Sequence, residues 1–134
     1  MDNCLFCKII KGEIPSNKVY EDDEILAFRD INPVAPVHVL VIPKKHISYL
    51  TDLEKEDELL IGKIYTAINK IAKTEEIAEK GFRVIVNCGE DGGQEVKHLH
   101  IHLIPRYESD LNCYSYNEDI LIPIDEVYSK LKSE

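Results

Sequence analysis

The chain has 134 residues, 44% hydrophobic and 31% charged, the composition of one folded domain with one core rather than of a disordered segment. With three Phe and no Trp, that core has to be filled by Ile, Leu and Val. The net charge of −9 and the lack of a basic run argue against a nucleic-acid polymer as partner, since such polymers are held by neutralising their phosphates with Lys and Arg. One small nucleotide needs only a few local donors and stays open.

No stretch of about 18 apolar residues occurs, so no membrane span is expected. Met1-Asp2-Asn3-Cys4 lacks the charged-then-apolar pattern of a signal peptide, and four Cys in such a chain read as thiols or metal ligands. The expected compartment is the cytoplasm.

Residues 4–11, Cys-Leu-Phe-Cys-Lys-Ile-Ile-Lys, fit one or two helical turns closed by Gly12 and Pro15. Val19-Tyr20 and Ile25-Leu26-Ala27-Phe28 flank an acidic cluster and predict a β-hairpin. The two prolines of Asn32-Pro33-Val34-Ala35-Pro36 make that segment a loop. His38-Val39-Leu40-Val41-Ile42 is nearly continuously apolar and β-branched, a central strand buried on both faces that Pro43 ends. A long helix is expected from about Thr51, or a few residues later, to about Lys73. Its apolar face is Leu60, Ile64, Ile68, Ile71 and Ala72, with acids at its start and lysines at its end. Phe82 to Asn87 is a strand, Gly89 to Gly93 a loop, and Val96 to Pro105 a second strand. The loop is too short for a crossover, which makes the pair antiparallel. Ile124 to Leu131 reads as a terminal helix. No repeat, low-complexity tract or linker divides residues 1–134, so a single domain is expected.

The chemistry concentrates in His98-Leu99-His100-Ile101-His102. Alternate residues of a strand share a face at roughly 6.6 Å intervals, which puts three imidazoles on one face and the aliphatics in the core. Three readings compete: an exposed polar face that happens to be rich in His, a metal site, or covalent catalysis. In the last, an imidazole whose one nitrogen donates to a carbonyl offers its other lone pair to phosphorus.

These residues, preceded by Gly92-Gly93-Gln94-Glu95-Val96, resemble the His-x-His-x-His-x-x signature of the histidine triad family. Ala27-Phe28-Arg29-Asp30-Ile31-Asn32-Pro33 and His38-Val39-Leu40-Val41-Ile42-Pro43-Lys44-Lys45-His46 are similar to the family's two other blocks, and the likeness covers roughly residues 4–107, leaving about 108–134 as a C-terminal extension. The resemblance implies an α+β fold, an antiparallel sheet with one long helix and short terminal helices, the sheet continuing across a homodimer. It implies a hydrolase or transferase that attacks the α-phosphate of a purine nucleotide derivative, a nucleoside phosphoramidate or dinucleoside polyphosphate, through a nucleotidyl-histidine and releases a nucleoside monophosphate.

By the same resemblance His100 is the nucleophile and His102 hydrogen-bonds the α-phosphate. Asp30 binds the ribose hydroxyls, while Phe6, Ile9, Phe28 and Ile31 line the base pocket. Asn87, Gly93 and Gln94 contact the phosphate or its leaving group. Glu95 departs from the Ser common after the Gln in members that favour phosphoramidates, and its carboxylate would repel an anionic leaving group. Bacterial-type members often carry a structural zinc, for which the matching ligands are Cys4, Cys7, His46 and His98, a complete tetrahedral set. Cys88 and Cys113 show no partner pattern, and His38 reads as a core histidine or one that supports its neighbours. Two further readings stay open: a nucleotide-binding regulatory or scaffold protein with little catalytic role, and a metallohydrolase with the three histidines around one metal.

Overall fold

The computed structural model describes residues 3–105 and 124–132. Its elements are α1 (Leu5–Ile10), β1 (Lys18–Glu21), β2 (Ile25–Arg29), β3 (Val39–Pro43), α2 (Glu58–Thr74), β4 (Phe82–Val86), β5 (Ile101–Pro105) and α3 (Ile124–Lys132). The five strands form one antiparallel sheet in the order β1-β2-β3-β5-β4, so the expected α+β class holds. Cys113 and residues 106–123 of the extension lie outside the described residues.

Strand pairing decides what each face carries, because residues directly opposite in an antiparallel pair point the same way. Phe28, Leu40, His102 and Ile85 fall in one row across β2, β3, β5 and β4; Ala27, Val41, Ile101 and Val86 fall in the next. The second face is covered by α2. Leu60, Ile64, Ala67, Ile68, Ile71 and Ala72, at three- and four-residue spacing, bury against Ile25, Ala27, Val39, Val41, Leu99, Ile101 and Leu103. The first face is covered only partly, where Phe6 and Ile9 of α1 pack on Leu26, Phe28, Leu40 and Ile42. β3 is buried along its whole length, as its apolar run predicts. All five residues of β4, the last strand of the sheet, are half-buried.

Two boundaries differ from expectation. The long helix begins at Glu58, after two 3-10 turns at Leu50–Asp52 and Lys55–Asp57. The acids there accept from backbone instead of filling a first helical turn: Asp52 from the Tyr49 N–H at 3.2 Å and Asp57 from the Glu54 N–H at 2.9 Å. Asp57, itself buried, also pairs with Lys45 at 2.7 Å. The histidine strand starts at Ile101 rather than Val96. Upstream of it Leu99 N–H bonds to the Ile47 carbonyl at 2.6 Å and the Val96 carbonyl is taken by Gln94, so residues 96–100 join no regular ladder.

The loop before that strand depends on two glycines for different reasons. A Cβ on Gly92 would lie 2.3 Å from the Cys88 carbonyl oxygen, and Gly93 sits at φ 83°, where side chains are strained. Among the described residues no helix is long and apolar enough to cross a membrane.

Candidate active site

His98 and His100, which precede β5, and His102 within it lie on the α1 side, but their rings are committed separately. His100 is buried, and its Nδ1–H donates to the His98 carbonyl at 2.7 Å. A carbonyl only accepts, so this bond fixes the Nδ1–H tautomer and leaves the Nε2 lone pair free. Phe6 packs edge-on against the His100 ring with centroids 5.1 Å apart, which restrains its orientation. The His102 ring lies 5.1 Å from that of His100. His102 meets His38, Nδ1 to Nε2, at 2.9 Å.

The His98 ring turns the other way. Its Nε2–H donates to the Pro43 carbonyl at 2.8 Å, so its Nδ1 carries a lone pair. That nitrogen lies 3.4 Å from Cys4 Sγ, 3.6 Å from Cys7 Sγ and 3.2 Å from His46 Nδ1, and Cys7 Sγ is 3.3 Å from His46 Nδ1. His46 Nε2 is 3.1 Å from Ser48 Oγ, to which it can donate, leaving its own Nδ1 lone pair facing that of His98. As thiols the two cysteines can donate to these lone pairs; as thiolates they leave four lone-pair donors facing one point, the arrangement that binds a cation. Zinc bonds of about 2.3 Å to sulfur and about 2.0–2.1 Å to nitrogen space tetrahedral ligand atoms by about 3.3–3.8 Å, close to the spacing found. The four residues predicted as metal ligands therefore converge with a geometry that fits one ion.

Of the remaining predicted residues, all but Gly93 and Gln94 line one of two concavities beside His100 and His102. A cavity of about 210 Å³ is lined by Phe6, Ile9, Phe28, Asp30, Ile31, Glu95 and His100, together with Leu40 and Val96, which the sequence did not single out. This is smaller than the roughly 300 Å³ at which sites for whole drug-sized molecules begin, so it suits a ring system with its polar remainder outside. Asp30 Oδ1 accepts from the Asn32 N–H at 2.9 Å, which orients the carboxylate at that cavity. Ile31 stands 87% exposed at the mouth. Asn87 lies in a shallower groove along β4 with His38 and His102. Gly93 sits over Asn87: a Cβ there would be 3.9 Å from its side-chain amide.

Gln94 has a second occupation that sequence alone did not disclose. Its Nε2 donates to the carbonyls of Ser48 at 2.7 Å and Val96 at 3.0 Å, and its Oε1 accepts from the Gly89 N–H at 2.9 Å. The side chain ties the glycine loop to the segment that carries His46.

Burial holds the His102 pKa down to about 4, with repulsion from His100 and His38 adding to it and Asp30 opposing. The same desolvation lowers that of His38, again against Asp30. A folded-state pKa below the ordinary value of about 6.5 means the unfolded chain binds protons more readily. The associated stability is complete above about pH 6.5 and is lost as pH falls toward 4. The melting temperature should accordingly drop between pH 7 and 4.5, and the slope should be shallower in His102→Asn. An identical slope in the variant would show that His102 is not the group responsible.

The layout defines a class: an α+β protein with a buried imidazole, one nitrogen fixed on a carbonyl, between a small apolar cavity and a shallower groove, next to a Cys2His2 cluster. The chain belongs to the HIT domain family, whose model matches residues 11–109. It is 48% identical over 103 residues to the purine nucleoside phosphoramidase of Escherichia coli, covering 77% of this chain and 87% of that protein. Among solved structures it resembles a histidine triad protein from Clostridium difficile (54% identity, TM-score 0.80, 86% of this chain and 98% of that one). It also resembles a HIT family hydrolase from Legionella pneumophila (48% identity, TM-score 0.78, 81% of this chain and 96% of that one).

Proposed function

We propose that the protein is a nucleotide hydrolase or transferase that uses His100 as its nucleophile. The observation that carries this reading is the bond from His100 Nδ1–H to the His98 carbonyl, which leaves an unprotonated Nε2 beside the apolar cavity that suits a base ring. The base lies among Phe6, Ile9, Phe28 and Ile31, with Asp30 accepting from the ribose hydroxyls. Nε2 attacks the α-phosphorus, the bond from phosphorus to the leaving group breaks, and the leaving group takes up a proton. Water then attacks the nucleotidyl-histidine, giving a nucleoside monophosphate and free His100. His102 hydrogen-bonds the phosphoryl oxygen and Asn87 contacts the phosphate or its leaving group, while Gly93 and Gln94, whose N–H groups donate to the Glu90 and Gly89 carbonyls, shape the loop beside it. Glu95, exposed at the cavity rim, favours a leaving amine over a leaving phosphate. The relation to a phosphoramidase supports purine nucleoside phosphoramidates as substrates.

The separate commitments of the three rings weigh against the metallohydrolase reading, since their Nδ1 atoms point to a cysteine pair, a carbonyl and another histidine rather than to one point. Cys4, Cys7, His46 and His98 hold a zinc ion that supplies a structural cross-link between α1 and the sheet. A homodimer joined through the β4 edges would extend the sheet and cover its half-buried strand.

The test is a panel of adenosine and guanosine phosphoramidates and dinucleoside polyphosphates, with mass detection of a protein adduct after rapid quenching. One nucleotidyl group located on His100 is the expected result. Tight binding without turnover on any of them would make the protein a nucleotide binder instead.

A further inference from the structure

His38 is buried, yet both of its ring nitrogens are engaged. The Val34 N–H, in the loop between Pro33 and Pro36, donates to Nδ1 at 3.2 Å. A neutral imidazole that accepts at Nδ1 carries its proton on Nε2. That Nε2 lies 2.9 Å from His102 Nδ1 and 3.4 Å from Asp30 Oδ2. Since His38 must donate, His102 must accept at Nδ1 and keep its proton on Nε2. The order of bonds is therefore fixed from a backbone amide outward, through His38, to the far nitrogen of His102. Burial favours the neutral form of both rings, which this requires.

We propose that His38 is a positioning residue that locks His102 in the Nε2–H tautomer, so that His102 meets the α-phosphoryl oxygen as a hydrogen-bond donor. The inference rests on the hydrolase reading for its consequence in catalysis, but the tautomer itself is independent of it. Were His102 free to choose, its outward nitrogen would present a lone pair to an anion in part of the population. Asp30, beside the same N–H, favours the proton staying on His38, and it also sits at the nucleoside cavity. The same three side chains bring ligand atoms close enough to hold a cation. The Val34 bond speaks against that use, because it leaves a proton where the metal would have to bind.

The test is long-range proton–nitrogen NMR of the nitrogen-15-labelled wild-type protein with its metal content intact, at neutral pH. The expected pattern is Nε2–H for both His38 and His102. His38→Gln, whose amide can still donate, should keep the His102 tautomer and turn over within about threefold of wild type. His38→Leu should average it and lower kcat roughly ten- to hundredfold, with KM changed little. Nδ1–H on His102 in the wild type would overturn the proposal. So would a folded His38→Leu protein with unchanged kcat, or a second equivalent of metal that this substitution removes. If the wild type hydrolyses none of the conjugates, the hydrolase reading fails, while the NMR result still decides the tautomer.

Discussion

His100→Asn should reduce turnover at least roughly 10⁴-fold while leaving nucleotide affinity within about threefold. The substitution is chosen for what it keeps. The asparagine amide can still donate to the His98 carbonyl, as the imidazole does at 2.7 Å, but offers no nucleophilic nitrogen. His100→Ala should be equally inactive and less stable, because it removes a buried ring against which Phe6 packs edge-on. Turnover is measured with a nucleoside phosphoramidate, and affinity by calorimetry with the corresponding monophosphate. No adduct should form in either variant. Activity in His100→Asn within tenfold of wild type would remove the covalent mechanism.

Removing metal should have the second large effect, on stability first. α1 is six residues long, too short to persist as a helix by itself, and it is capped by Cys4, whose sulfur accepts from the Cys7 N–H at 3.4 Å. The same two sulfurs approach His46 and His98, so an ion at that point would pin the helix to the sheet. The purified protein should contain about one zinc per chain. A strong chelator, or Cys7→Ala, should lower the melting temperature by roughly 10 °C or more. Because Phe6 and Ile9 line the cavity, affinity for a nucleoside should weaken as well. A protein isolated without zinc, with a melting temperature indifferent to chelator, would show that the cluster is held by hydrogen bonding alone.

The elements were legible wherever a periodic pattern had a single physical cause. The apolar positions of α2 and the uninterrupted run of β3 are of this kind, and both are buried as read. Element ends were less legible where side chains take over backbone partners. Asp52 and Asp57 look like residues of a helical first turn, yet they close 3-10 turns before the helix begins. Alternation at residues 96–100 looks like strand, yet Gln94 and Ile47 claim the backbone groups that a ladder would need. In the site, the grouping of Cys4, Cys7, His46 and His98 followed from the resemblance, and the structure brings the four together. That His38 could support its neighbours was open in the sequence, but which neighbours was not legible, because they are the Val34 amide and a histidine 64 residues away. Nothing in a linear pattern distinguishes such a residue from an ordinary buried one.

His98 is gripped at three points: its ring by Pro43 on one nitrogen and by the cysteine cluster on the other, and its carbonyl by the ring two residues downstream. The aim of the reacting nitrogen is thus inherited from the anchorage of a neighbour, since regular pairing starts only at Ile101. Slackening that anchorage should slow the chemistry as well as lower the melting temperature, so damage at residue 98, which is fully buried, would show in reaction rates and in calorimetry alike.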